Sequence, residues 1–233
     1  MKLIKRLWRL IWKTAMWFLI ISVGLTVVYR FVPVPITPLM VIRVFEQAFD
    51  SEKEVRLNKD WVSLSEISKN APQAVYAAED QKFMDHKGFD IEAMEKAWEN
   101  NKKGKRIKGA STITQQTVKN VFLWQSRTYL RKGLEAYFTV LVELIWPKHR
   151  IMEVYLNVIE MGDGIYGIEA ASQVYFNKPA SKLTRNQAAL IAAVLPNPRR
   201  WSPAKPSGYI IGRQGWILRQ MNNLPPIGMG VNP

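Results

Sequence analysis

Apolar residues fall along this chain in two regimes. From Thr14 to Tyr29 they run almost unbroken, with no charged residue in the stretch TAMWFLIISVGLTVVY. As a helix those sixteen residues rise about 24 Å. Ile11, Trp12 and Phe31 extend the run toward the roughly 30 Å of a bilayer core, because Lys13 and Arg30 can snorkel outward. Further on, the period becomes helical and amphipathic. Asn70 and Pro72 mark a helix start after which Ala74, Val75 and Ala78 pack, placing Glu79 near the helix end. Asp90 can cap a helix with Ile91, Met94 and Trp98 on one face, ending near Gly104. Leu130, Leu134, Phe138, Leu141 and Ile145 repeat at helical spacing, and Pro147 then opens the next helix as a first-turn residue. Thr184 and Gln187 form a capping box before AALIAAVL, which Pro196 stops. One more helix covers 207–222, weakened by Gly212 and Gly215. Pro33, Pro35 and Pro38 predict an extended connection over 32–45, and the Pro- and Gly-rich end after Leu224 predicts a loose tail. No alternating run is long enough for a substantial sheet, so the fold class is all-α.

Composition narrows this picture. The chain has 233 residues, 48% hydrophobic and 22% charged, enough for one folded domain plus an anchor. Its formal net charge is +14, of which Lys2, Lys5, Arg6, Arg9 and Lys13 supply +5 before any acid appears at Glu46. By the positive-inside rule residues 1–12 stay in the cytoplasm and the rest is outside. A cleaved signal peptide is the competing reading. No small-x-small site follows the apolar run, however, and Val-Pro-Val-Pro-Ile-Thr-Pro comes instead. The remaining basic excess points to a polyanionic partner, nucleic acid or an anionic membrane with its lipid phosphates. There are no cysteines, which excludes disulfides and thiolate metal sites.

Four polar clusters stand where a core helix would not want them. The first is Glu79-Asp80-Gln81-Lys82-Phe83, followed by His86 and Gly88. A carboxylate at that helix end, beside Phe83, can be partly desolvated and suited to general-base work; two adjacent acids are otherwise a solvated surface. The second is Gly109 through Gln116. With Ser111 as the cap, Ser111, Gln115 and Lys119 share one helix face while Ile113, Thr117 and Val121 pack inward. Such an N-terminus suits phosphate and sugar hydroxyls, though an ordinary capped amphipathic helix fits as well. The third is Arg127 with Arg131-Lys132-Gly133-Leu134-Glu135, in which Arg131 and Glu135 stand at the spacing of a surface ion pair. The fourth is KHRIMEVYLN, Lys148 to Asn157, where Glu153 and Asn157 share a face. Between the second and third clusters, Val121-Phe122-Leu123-Trp124 is either core or a membrane-contacting patch.

In this order the clusters resemble the motifs of the peptidoglycan glycosyltransferase family. E-D-x-x-F-x-x-H-x-G is matched at Glu79, Asp80, Phe83, His86 and Gly88. G-G-S-T-I-T-Q-Q is matched except that Ala110 replaces the second glycine. R-K-x-x-E is matched at Arg131, Lys132 and Glu135, and K-x-x-I-x-E-x-Y-L-N at Lys148, Ile151, Glu153, Tyr155, Leu156 and Asn157. Leu195-Pro196-Asn197-Pro198 and Trp201-Ser202-Pro203 are similar to a fifth, proline-rich motif. The resemblance covers residues 46–222, and with no transpeptidase domain following, it is to the monofunctional, membrane-anchored form of Gram-negative bacteria.

The resemblance implies a lysozyme-like catalytic domain with a membrane-dipping jaw, preceded by one transmembrane helix. The organisation it suggests is a basic segment over 1–12, a transmembrane helix over 13–31, a connector over 32–45, the catalytic domain over 46–222 and a flexible tail over 223–233. It implies polymerisation of lipid II by inverting displacement of undecaprenyl pyrophosphate, in the inner membrane with the catalytic domain periplasmic. Glu79 is then the base, and Lys119 and Arg127 hold the pyrophosphate, with Arg131 and Lys132 extending the positive wall. Glu135 is the second acidic residue, which assists the leaving group, orients basic side chains or holds a divalent cation. Asp80, Ser111, Thr112, Gln115 and Gln116 bind substrate. Phe83, His86, Gly88, Glu153, Tyr155 and Asn157 hold the site together. No tightly bound cofactor is implied, a divalent cation such as Mg2+ is left open, and the expected partners are lipid II, the growing glycan, membrane lipids and other cell-wall or division proteins, with no nucleic acid. Two rivals stand beside this: a lysozyme-like glycan-cleaving enzyme, whose neutral leaving group needs no basic wall, and a non-enzymatic basic membrane protein, which leaves the ordered acids unexplained.

Overall fold

A computed structural model describes residues 2–51, 54–102, 110–126 and 128–228, the side chains of residues 2 and 3 apart. Helix α1 (Lys2–Phe31) is a single 30-residue rod, so the basic N-terminal segment is helical too rather than a separate piece. It is long and apolar enough to cross a membrane. Its C-terminal half is gripped by the body of the protein. Ser22 Oγ meets Tyr137 Oη at 2.7 Å, the Trp146 indole donates to the Thr26 carbonyl at 2.7 Å, and the Arg150 guanidinium donates to the carbonyls of Tyr29 and Val32. Arg150 thus satisfies the orphan carbonyls of the last turn.

The connector corrects the expectation of an extended 32–45. Residues 33–37 form neither helix nor strand, but Pro38 opens helix α2 (Pro38–Ala48) because Thr37 caps it, accepting from the Met40 amide at 3.3 Å. Proline at the first helical position loses no hydrogen bond, so the same residue that reads as a breaker serves as a start.

The body is built on α7 (Lys148–Val158), whose Ile151, Met152, Val154, Tyr155, Leu156 and Val158 are all buried, as are its polar Arg150 and Asn157, so the helix is central. On it pack α5 (Ile113–Phe122) and α8 (Ile168–Phe176); α6 (Tyr129–Ile145) packs on α5, α3 (Asn70–Glu79) packs on α9 (Arg185–Val194), and α10 (Gly208–Asn223) packs on α3 and α9. The Thr184–Gln187 capping box forms as expected, and α10 tolerates its glycines. The only described sheet is small: β1 (Asn58–Lys59) pairs in parallel with β3 (Ile165–Tyr166), which pairs antiparallel with β2 (Glu160–Gly162) across a bulge.

Three further expectations change. Helix α4 (Ile91–Lys102) is capped by Asp90 and carries Ile91, Met94 and Trp98 on one face, but that face is exposed and α4 buries no residue; the end near Gly104 lies outside the described residues. The tail is not loose through residue 228, since Gln73 accepts from the Ile227 amide and donates to the Pro225 carbonyl. Val121, Phe122 and Leu123 are core: Val121 and Leu123 are buried, and Phe122 stacks on Phe138 at 4.6 Å. Only Trp124 of that cluster is exposed. The exposed apolar surface continues instead onto α6, at Tyr129, Leu130, Val140 and Leu144.

Gly88 joins the fold to the site. Its φ of +85° is one that side-chain-bearing residues rarely adopt, and an added Cβ would stand 2.6 Å from the Thr139 methyl and 2.9 Å from Glu143 Cγ. Gly88→Ala is therefore expected to lower stability by about 1–3 kcal/mol or more, read as a fall in the denaturant midpoint.

Candidate active site

Glu79 is the last residue of α3, and the chain turns sharply after it. Its side chain is only 13% exposed. Gln116 on α5 donates from Nε2 to Glu79 Oε2 at 3.0 Å, and the wholly buried Tyr155 donates its hydroxyl to Gln116 Oε1 at 3.3 Å. Tyr155 thereby fixes the amide so that its nitrogen faces the carboxylate. Glu79 Oε1 is buried without a hydrogen-bond partner. Burial raises the Glu79 pKa, opposed by the Gln116 hydrogen bond and by the charges of Arg213 and Lys119. A partly desolvated carboxylate with one oxygen unclaimed suits a general base.

The neighbouring acid is different. Asp80 Oδ2 accepts the Ile113 amide at the start of α5 at 3.0 Å, and both its oxygens face His86 Nε2 at 3.0 Å. His86 Nδ1 accepts the Gly88 amide, so its proton sits on Nε2, pointed at Asp80. Thr112, not Ser111, caps α5 in a reciprocal box with Gln115, and its hydroxyl also donates to the Gly88 carbonyl at 2.7 Å. Asp80, Thr112 and Gln115 are thus held in place by hydrogen bonds within the fold, and buried polar groups engaged in this way are costly to free. Phe83 is fully buried beneath the Lys148 ammonium, which binds the His86 carbonyl and Glu143. Asn157 holds both the amide and the carbonyl of Val62, and Glu153 pairs with Arg150. Ser111 stays exposed. It lines a pocket of about 270 Å³ with Glu79, Asp80, Gln81, Lys82, Asp90, Ala93, Ala110 and Thr112.

On the other side of Glu79 stands a cationic wall. Lys119, one turn along α5 from Gln116, feels Glu79 as well as Glu135, Arg131 and Lys132; burial, the largest influence, lowers its pKa. Arg131 and Lys132 both bind the Glu135 carboxylate. The pair Arg131–Glu135 is thus corrected from a surface ion pair: Glu135 is buried and Arg131 nearly so. Glu135 has one cation on each oxygen, and no group of three or more His, Asp or Glu placed to hold a metal ion occurs among the described residues. Arg127 lies outside the described residues.

Reasoning along the chain missed Arg213. It projects from α10, in the helix weakened by glycines, and its Nη2 stands 3.5 Å from Glu79 Oε1. No local signal marks it; only packing of α10 on α3 brings it there.

The family model described as Transglycosylase matches residues 46–222. The chain is 58% identical over 209 residues to a biosynthetic peptidoglycan transglycosylase of Bdellovibrio bacteriovorus, covering 90% of this chain and 83% of that one. It is 51% identical over 222 residues to proteins of the same name from Pseudomonas fluorescens, covering 95% and 92%, and from Bacteroides thetaiotaomicron, covering 95% and 89%.

Proposed function

The chain belongs to the transglycosylase family, and from that premise we propose that it polymerises peptidoglycan glycan strands from lipid II. The observation that carries the reading is the pairing, across one turn of α5, of a buried carboxylate with a free oxygen and a wall of cations. The reaction joins an acceptor hydroxyl to an anomeric carbon while a lipid pyrophosphate departs, so it needs a base on one side and positive charge on the other. Glu79 takes the hydroxyl proton. Lys119, Arg131 and Lys132 face the pyrophosphate, and Glu135 holds the last two in place rather than reacting. Ser111 and Gln116 touch the sugars, and Arg127 is proposed, from its place in the sequence alone, as a further pyrophosphate ligand. The lysozyme-like body sits outside the inner membrane, with α1 as its anchor and its N-terminus in the cytoplasm.

Placement against the membrane follows from the exposed apolar residues. Trp124, Tyr129, Leu130 and Leu144, close in sequence to the cations, form the jaw that dips into lipid and keep the wall at the depth of phosphates. An apolar cleft of about 470 Å³ between α1, α2 and the α5–α6 core adds a surface facing hydrocarbon.

Incubating the purified full-length protein with lipid II in detergent tests the reading. A ladder of lengthening glycan products is expected. Fragments from preformed glycan would point to the cleaving enzyme, and no reaction on either substrate would leave only a basic membrane protein.

A further inference from the structure

We propose that Arg213 is a positioning residue that keeps the Glu79 carboxylate charged and aimed, making α10 a working part of the active site. The inference rests on the reading of Glu79 as base. Arg213 lies outside the four polar clusters and outside the proline-rich segment. Its guanidinium nevertheless reaches across from α10 to the one oxygen of Glu79 that no hydrogen bond claims, at 3.5 Å. That distance is long for a strong hydrogen bond, so the coupling is by charge, in a setting where little solvent screens it. Arg213 Nε is also buried with no partner. A guanidinium left so incompletely satisfied is poor scaffolding; Arg150, by contrast, has its nitrogens on two backbone carbonyls and on Glu153. What Arg213 does have is the base.

The other groups facing Glu79 do not replace it. Asp80, next in the chain, is an acid and disfavours ionisation of its neighbour. Gln116 is neutral, and Tyr155 behind it is held neutral by burial. Lys119 on α5 is a cation, but Glu135, Arg131 and Lys132 bear on it more strongly than Glu79 does. From α9, which packs along α3, the only charged residue is Arg185, engaged with Leu218 and Asn222. Arg213 therefore supplies the largest opposite charge acting on Glu79. It counters the burial that would otherwise protonate the base.

The test is the pH profile of kcat/KM for polymerisation by the full-length protein. Activity needs the carboxylate, so the acidic limb reports its protonation. Removing a nearby cation moves that limb upward. In Arg213→Gln it should rise by about one pH unit, with most of the wild-type rate returning at high pH. Arg213→Lys keeps a charge and should bring the limb back toward wild type. A folded Arg213→Gln with an unmoved limb overturns the proposal, whether its rate falls at every pH or stays whole, as does an Arg213→Lys limb that coincides with that of Arg213→Gln. Thermal unfolding checks folding. If Arg213→Gln does not fold, Arg213→Met, which keeps the packing of the stem, serves in its place; if neither folds, Arg213 is a structural residue and the proposal fails. Glu79→Gln separates the two layers. An active Glu79→Gln removes the base reading itself, whereas an inert one with an unmoved Arg213→Gln limb removes only Arg213.

Discussion

Glu79→Gln is expected to fold normally and to lose glycan synthesis by about 10²–10⁴-fold or more. The amide is nearly isosteric and can still accept the Gln116 hydrogen bond, so packing around α3 and α5 survives. What disappears is the carboxylate that the proposed mechanism uses to take the proton. Stability adds a second reading. The pKa of Glu79 is raised in the folded protein, so its contribution to stability is fully present below the unfolded value near 4.5 and is lost as pH rises through the folded value. The mutant, with no carboxylate to bury charged, should gain on the wild type in unfolding temperature as pH increases across that window. Near-normal product ladders from a folded mutant would sink the base assignment. A difference in unfolding temperature that shrinks with rising pH would contradict the burial argument.

Lys119→Ala should reduce polymerisation nearly as much, by about 10²–10³-fold, and through kcat as well as KM. Charge builds on the bridging oxygen of the pyrophosphate as the anomeric bond breaks, and a preorganised cation there stabilises the transition state more than the bound donor. Lys119 is half-buried, one turn from Gln116, and near Glu135 with its two cations. Burial makes its ammonium less hydrated and so more effective on an incoming anion. Steady-state kinetics on lipid II at two ionic strengths is the measurement. A KM effect alone, vanishing at high salt, would demote Lys119 to a surface charge that gathers anionic lipid.

Features with local causes could be read from the chain. The Thr184–Gln187 box and the Asp90 cap are set by residues three apart, and α10 follows its periodicity despite Gly212 and Gly215. The clusters around Glu79 and Gln116 do meet, as their order suggested. Where two neighbours compete for one role, pattern was not enough. Ser111 and Thr112 are both capping residues, and Thr112 takes the cap because Gln115 can answer it and Gly88 offers its carbonyl. Arg131 and Glu135 have the same spacing whether they lie on a surface or under α5, and only packing decides between them. Proline is ambiguous in the same way: Pro38 breaks or begins a helix according to whether Thr37 turns back to cap it. Arg213 was invisible for a stronger reason, since the contact that matters is made by the approach of α10 to α3 and leaves no trace in the residues beside it.

The grip on α1 carries one more consequence. Ser22, held by Tyr137, lies eight residues before Arg30, or about 12 Å along the rod. As the proposed anchor, α1 is therefore no slack leash but a rigid keel, fixed to the body of the protein through about half of its apolar length. Hydrophobic mismatch is relieved in most single-span proteins by tilting the span alone. Here any tilt forced by a thicker or thinner bilayer must swing the whole body with it, raising or lowering the cations relative to the headgroup plane. On the proposed placement, membrane thickness becomes, through Tyr137, Trp146 and Arg150, a mechanical setting on how deeply the protein reaches for its lipid-borne substrate.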